Sequence, residues 1–222
     1  MLKLYLRWLT VILYCHLVMG SYAQKASLGH LDSLIVNYVK DLHNIQKVDS
    51  FCIYSSYTLM PAHWIKWSPD NYCNTDIFIP RHILWLKNGK TFLTEKDNCF
   101  DYTTINYNAD TLWNYFLRNK NIIKREKVKT FQYLDKKDTV NSMVDHSDHQ
   151  DFKIMIGADT IEKWFDSHDL QEKETFGYAE DTIININYRY NNSLKSKYFA
   201  DMMEKVVRNV EGNKLLIGTR RQ

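Results

Sequence analysis

The densest run of metal-ligating side chains in the 222-residue sequence is Asp145-His146-Ser147-Asp148-His149-Gln150-Asp151. Zinc and manganese take neutral imidazole and carboxylate oxygen, so His146, Asp148 and His149 are the candidate metal ligands. On a helix His146 and His149 would share a face; on a strand they would turn to opposite faces. The simplest expectation is a solvated polar loop, because a metal centre also needs a ligand from a distant segment. Asp166, His168 and Asp169 are the donors that could supply one, if the fold brings them near.

A second constellation is aromatic. His63-Trp64-Ile65-Lys66-Trp67 lies between Pro61 and Pro69, in a segment that reads as a loop. Exposed indoles stack on sugars and peptides, which makes Trp64 and Trp67 the candidate ligand platform. The competing expectation is that both indoles fill the core beneath the loop, as tryptophans on average do.

Catalytic signatures with a fixed spacing are absent. There is no Gly-x-Ser-x-Gly elbow, no His-Glu-x-x-His helix and no glycine-rich phosphate loop. A pair of catalytic carboxylates leaves no such spacing, so the sequence names neither catalytic residues nor a cofactor. Cys52, inside the apolar run Ser50-Phe51-Cys52-Ile53-Tyr54, reads as a buried thiol rather than a nucleophile. Cys73 and Cys99 have polar, turn-like neighbours and are the expected disulfide, stabilising by about 3 kcal/mol if unstrained. That bond requires residues 68–76 to fold back towards Cys99.

The start of the chain has the three-part layout of an export signal. Lys3 and Arg7 precede an apolar run from Trp8 to Gly20, and Ser21-Tyr22-Ala23 offers small residues before Gln24. Cleavage is expected between Ala23 and Gln24, so residues 1–23 are a signal peptide and 24–222 one domain. The apolar run falls short of the roughly 20 residues needed to span a bilayer. The expected location is therefore periplasmic or secreted, with no membrane span after cleavage.

Several elements must position these side chains. Ala26 to Asn44 carries a helical stripe of Leu28, Leu31, Leu34, Ile35, Tyr38, Val39 and Leu42. Val48 to Thr58 reads as a strand. Asn88-Gly89, between His82–Lys87 and Lys90–Thr94, predicts a two-residue hairpin with Trp85 opposite Phe92, Leu84 opposite Leu93 and Leu86 opposite Thr91. Asn108 to Lys120 reads as a helix burying Leu112, Trp113, Phe116 and Leu117, and Lys127 to Leu134 as a strand. Asp135 to Asp151 reads as a loop and Phe152 to Ile156 as a short strand. Asp159-Thr160-Ile161-Glu162 has the spacing of a capping box and predicts a short helix. Asp181 to Tyr190 alternates, with Ile184, Ile186, Tyr188 and Tyr190 on one face. A final helix capped by Ser193 carries Leu194, Tyr198, Phe199, Met202, Met203, Val206 and Val210, with Gly212 as its end and a last strand over Lys214–Gly218.

These elements predict a single α+β domain, mainly an antiparallel sheet with a central hairpin, packed by an N-terminal and a C-terminal amphipathic helix. Lys and Arg number 29 against 26 Asp and Glu, which excludes a nucleic-acid binder driven by backbone charge. A hydrophobic share of 45% excludes a mostly disordered chain. The expected function is an exported, non-catalytic binding or accessory domain with an unassigned ligand or protein partner. The alternative is an exported hydrolase, metal-assisted, acting on glycan or peptide.

Overall fold

The structure is a computed structural model that describes residues 33–48, 50–58, 80–97, 99–144, 147–176 and 181–220. Residues 33–44 form helix α1, and Lys47, at positive φ, turns the chain towards strand β1 (Ser50–Thr58). The next described elements are β2 (Arg81–Lys87) and β3 (Lys90–Lys96). Asn88 and Gly89 take φ of 53° and 72°, the mirror-image turn that matches strand twist. The register is the expected one: Trp85 faces Phe92, Leu84 faces Leu93 and Leu86 faces Thr91.

The chain then makes β4 (Phe100–Tyr102) and β5 (Ile105–Asn106), which both pair with β3. Helix α2 (Asp110–Arg125) runs past the expected Lys120, and leaves Leu117 exposed. β6 (Gln132–Asp135) and β7 (Asp138–Asn141) make a separate hairpin within a region read as strand and loop. β8 (Asp148–Ile156) and β9 (Asp159–Asp166) are the next pair, followed by a single 3-10 turn at His168–Leu170. β10 (Lys173–Phe176) pairs with β11 (Asp181–Ile184). The described chain ends with α3 (Tyr188–Asn192), α4 (Lys195–Gly212) and β12 (Gly218–Arg220), which lies later than the expected Lys214–Gly218.

The main sheet has the strand order β12-β4-β3-β2-β1-β8-β9, with β5 beside β3, and its described pairs are antiparallel. The architecture is mixed α+β, with the β2–β3 hairpin inside the sheet. Successive strand residues point to opposite faces, which sorts the core into two clusters. Cys52, Tyr54, Leu84, Leu93, Phe152, Ile154, Ile161 and Phe165 meet Trp113 and Phe116 of α2 and Phe199, Met203 and Val207 of α4. On the other face, Phe51, Ile83 and Trp85 meet Ile35 and Leu42 of α1.

Three strand expectations are corrected. Asp159 to Asp166 is a strand, not a helix: Gly157 at positive φ makes a tight turn back from β8, and Ile161 and Phe165 point inward while Glu162 and Trp164 point outward. β8 begins at Asp148, inside the stretch read as a loop. The strand expected over Asp181–Tyr190 stops at Ile184, and its faces are reversed, with Asn185 and Asn187 buried and Ile184 and Ile186 exposed.

Hydrogen bonds explain that reversal. The Asn185 amide donates to the Asp169 and Gln171 carbonyls, and the Asn187 amide donates to the Thr130 carbonyl. The Asn191 amide donates to the Lys129 carbonyl while its oxygen accepts the Lys129 N–H, so the side chain acts as a short piece of strand. Buried backbone groups need partners, and here amide side chains supply them.

Helix α4 is capped differently from expectation. The Glu126 carboxylate, just past α2, accepts the Lys195 and Ser196 N–H groups at 2.9 and 2.7 Å. A negative charge on unpaired N-terminal amides is favourable twice over, through hydrogen bonding and the helix dipole. Tyr198 is exposed, whereas Phe199, Met203, Val207 and Val210 are buried as the stripe predicts.

Cys52 is a fully buried free thiol, whose Sγ lies 3.8 Å from Met203 Sδ, and burial pushes its pKa far up. Cys99 is buried and disulfide-bonded. Cys73 lies outside the described residues, as do Ala23, Gln24 and the rest of the expected signal. Among the described residues no helix is long and apolar enough to cross a membrane.

Candidate functional site

A cleft of about 780 Å³ opens between α1 and the sheet face formed by β1, β8 and β9. Its position follows from the sheet's period of two. Ile53 on β1, Asp151, Lys153 and Met155 on β8, and Glu162 and Trp164 on β9 all point to the α1 side. Helix α1 contributes Ile35, Val36, Val39 and Lys40. Ile35 is buried against the sheet, but the next residue, Val36, turned about 100° round the helix, is 50% exposed. Trp164 faces it from the outermost strand, 48% exposed.

The lining combines aliphatic side chains and the Trp164 indole with six charged residues, most of them paired or held. Arg81 binds Asp151 at 2.9 Å and also donates to the Ser55 hydroxyl. Lys153 pairs with Glu162. The Lys163 ammonium is held by the Lys124 and Glu126 carbonyls, and its partial burial lowers its pKa from the ordinary lysine value. That leaves Lys40 as a cleft-lining cation without an ion-pair partner among the described residues. Small-molecule sites combine apolar surface with placed polar groups, and the volume falls in their range of about 300–1,000 Å³.

His149 lies two residues along β8 from Asp151, on the same face. Its ring is buried between Trp164, with centroids 4.9 Å apart and planes at 21°, and Tyr57, at 5.4 Å. Burial pushes the Tyr57 phenol up. Nε2 of His149 is 3.4 Å from the Ser147 hydroxyl, and Nδ1 is 3.9 Å from Asp166 Oδ2. The second distance is too long for the hydrogen bond that fixes a catalytic imidazole.

Of the sequence-derived metal candidates, Asp148 and His149 are strand neighbours and turn to opposite faces. Asp148 accepts a hydrogen bond from the Thr58 hydroxyl, and His149 meets Asp166, one of the distant donors considered. His168 instead bonds Glu174 at 3.0 Å and stacks on Phe131, while Asp169 accepts the Phe131 N–H. His146, Trp64 and Trp67 lie outside the described residues.

The cleft residues were not visible as a group in the sequence, because they come from five elements, α1, β1, β2, β8 and β9, that meet only in the folded chain. One local signal existed: Trp164 fell on the outward phase of an alternating segment that the apparent capping box disguised. In comparisons with protein-family models, curated proteins and solved structures, none matches this chain.

Proposed function

We propose that the protein is an exported, non-catalytic binding protein whose cleft takes a small amphipathic molecule with an apolar body and an acidic head. The observation that carries this reading is the aliphatic cleft opening between Val36 and Trp164. A space of ligand size lined by Ile35, Val36, Ile53, Met155 and Trp164 is the kind of contiguous apolar concavity that small molecules occupy. Lys40 at the edge selects an anionic head, since the other charged groups there are paired or held. Export rests on the layout of residues 1–23, with cleavage between Ala23 and Gln24 and release into the periplasm or the medium. With Cys52 free and Cys15 inside the signal, Cys73 is the partner proposed for Cys99.

Decanoate has the required chemistry and can be titrated while tryptophan emission is followed. The reading predicts saturable binding at one site. Val36→Asp places a charge in the opening and weakens binding at least tenfold. Lys40→Ala weakens decanoate but not decanol. Absence of saturable binding up to millimolar decanoate, or equal affinity in all variants, contradicts the reading.

A further inference from the structure

On the opposite face of the sheet, towards α4, the ligand atoms of His82, Glu95 and Glu211 all lie within 4.8 Å of one another. We infer that these three side chains bind a single divalent transition-metal ion, with zinc the best fit, at a site separate from the cleft. The inference does not depend on the proposed ligand, because Arg81 and Ile83 face α1 while His82 between them faces α4.

Three observations carry it. First, His82 is 2% exposed; its Nδ1 has no hydrogen-bond partner, and its Nε2 faces the Glu211 and Glu95 carboxylates at longer than ordinary hydrogen-bond range. Buried imidazoles are ordinarily bonded at closer range, so this arrangement needs an explanation. Second, Nε2 stands at a particular distance from the two carboxylates. Nε2 is 3.4 Å from Glu211 Oε1 and 3.7 Å from Glu95 Oε2, long for a hydrogen bond to either. Two ligands about 2.1 Å from a tetrahedral ion stand about 3.4 Å apart; His82 already keeps that spacing to Glu211, and the half-exposed Glu211 side chain can turn to bring its oxygen, within 4.8 Å of the Glu95 oxygen, to the same spacing from it. Third, the ligands are held in place. His82 and Glu95 are direct cross-strand partners in the rigid β2–β3 hairpin. Beside them, the Tyr102 hydroxyl reaches Glu95 and donates to Asp97 at 3.0 Å, and Asp97 is itself fixed by the Cys99 and Phe100 N–H groups. Such outer partners are how metal sites orient their ligands.

Glu211, in the last turn of α4, is the half-exposed member and leaves an entry path and room for water as a fourth ligand. One nitrogen and two carboxylate oxygens suit zinc or manganese better than copper(I), which prefers sulfur. The bound ion would tie the end of α4 to the middle of the sheet.

The test uses the full processed chain, stripped with a chelator and titrated with zinc chloride by calorimetry and native mass spectrometry. One ion per chain, removed by chelator, is expected. Glu211→Gln keeps the shape, sits at the surface and should fold; it is expected to lower zinc affinity at least tenfold with an unchanged circular dichroism spectrum. Glu95→Gln is expected to act in the same direction. No binding at micromolar zinc overturns the inference and leaves His82 as a buried imidazole facing two carboxylates. Stoichiometric zinc with wild-type affinity in both variants also overturns it, by placing the ion elsewhere; its loss in His149→Ala would identify that other place.

Discussion

Asn191 is fully buried, and its amide does the work of a strand residue by pairing both ways with the Lys129 backbone. It also donates to the Asp169 carbonyl at 2.9 Å. Asn191→Ala leaves three backbone groups without that partner, and the expected loss is about 3 kcal/mol. Urea denaturation should show this as a lower midpoint with an unchanged slope. Hydrophobic patterning could not reveal this role. Asn185 and Asn187 alternate with isoleucines, and polarity alone assigns them to the wet face; only their backbone partners explain why they are inside.

The neighbouring Asp169 gives a pH dependence. Burial holds its carboxyl above the ordinary aspartate range, against the opposing Phe131 N–H bond. The folded chain therefore keeps a proton there that the unfolded chain has already released. Folding stability falls as pH rises from the ordinary aspartate value to the raised folded one, and the loss is complete beyond it. Asp169→Asn keeps an oxygen for the Phe131 N–H and removes the buried charge. Its midpoint should fall less than the wild type's between pH 4 and 7; an identical pH profile would contradict the assignment.

Elements were legible where local chemistry is unambiguous. The Asn88-Gly89 turn set the β2–β3 register to the residue, and the helical period of α4 marked Phe199, Met203 and Val210 as core. The β8–β9 hairpin was not legible. Its turn residues, Gly157 and Ala158, are a weaker signal, and Asp159 with Glu162 imitates a helix start. The cap of α4 was hidden for another reason: it comes from Glu126, far along the chain. Glu126→Gln removes the charge but retains one acceptor for Lys195 or Ser196. It should cost about 1 kcal/mol, and Glu126→Ala about 2 kcal/mol. Thermal melting at fixed pH distinguishes them, and equal melting temperatures for wild type and both variants would remove Glu126 as a cap.

The described chain packs both faces of its main sheet, one against α2 and α4 and the other in part against α1. That asymmetry places two different chemistries back to back. The face towards α4 is packed and carries the His82 group, whereas the face towards α1 leaves the cleft. The α+β class was readable from the alternation of periods along the chain. The cleft was not, because Val36, Ile53, Met155 and Trp164 are brought together only by strand order β1-β8-β9 and by where α1 lies across it. The binding reading therefore stands or falls on whether a ligand occupies that face.

Residue-resolved NMR of the processed chain, before and after addition of decanoate, tests this directly. Saturable shifts are expected, centred on the Trp164 indole and the Val36, Val39, Ile53 and Met155 methyl groups, with Phe199, Met203 and Val207 unmoved. No shifts at saturation, or shifts centred on the α4 face, would contradict it.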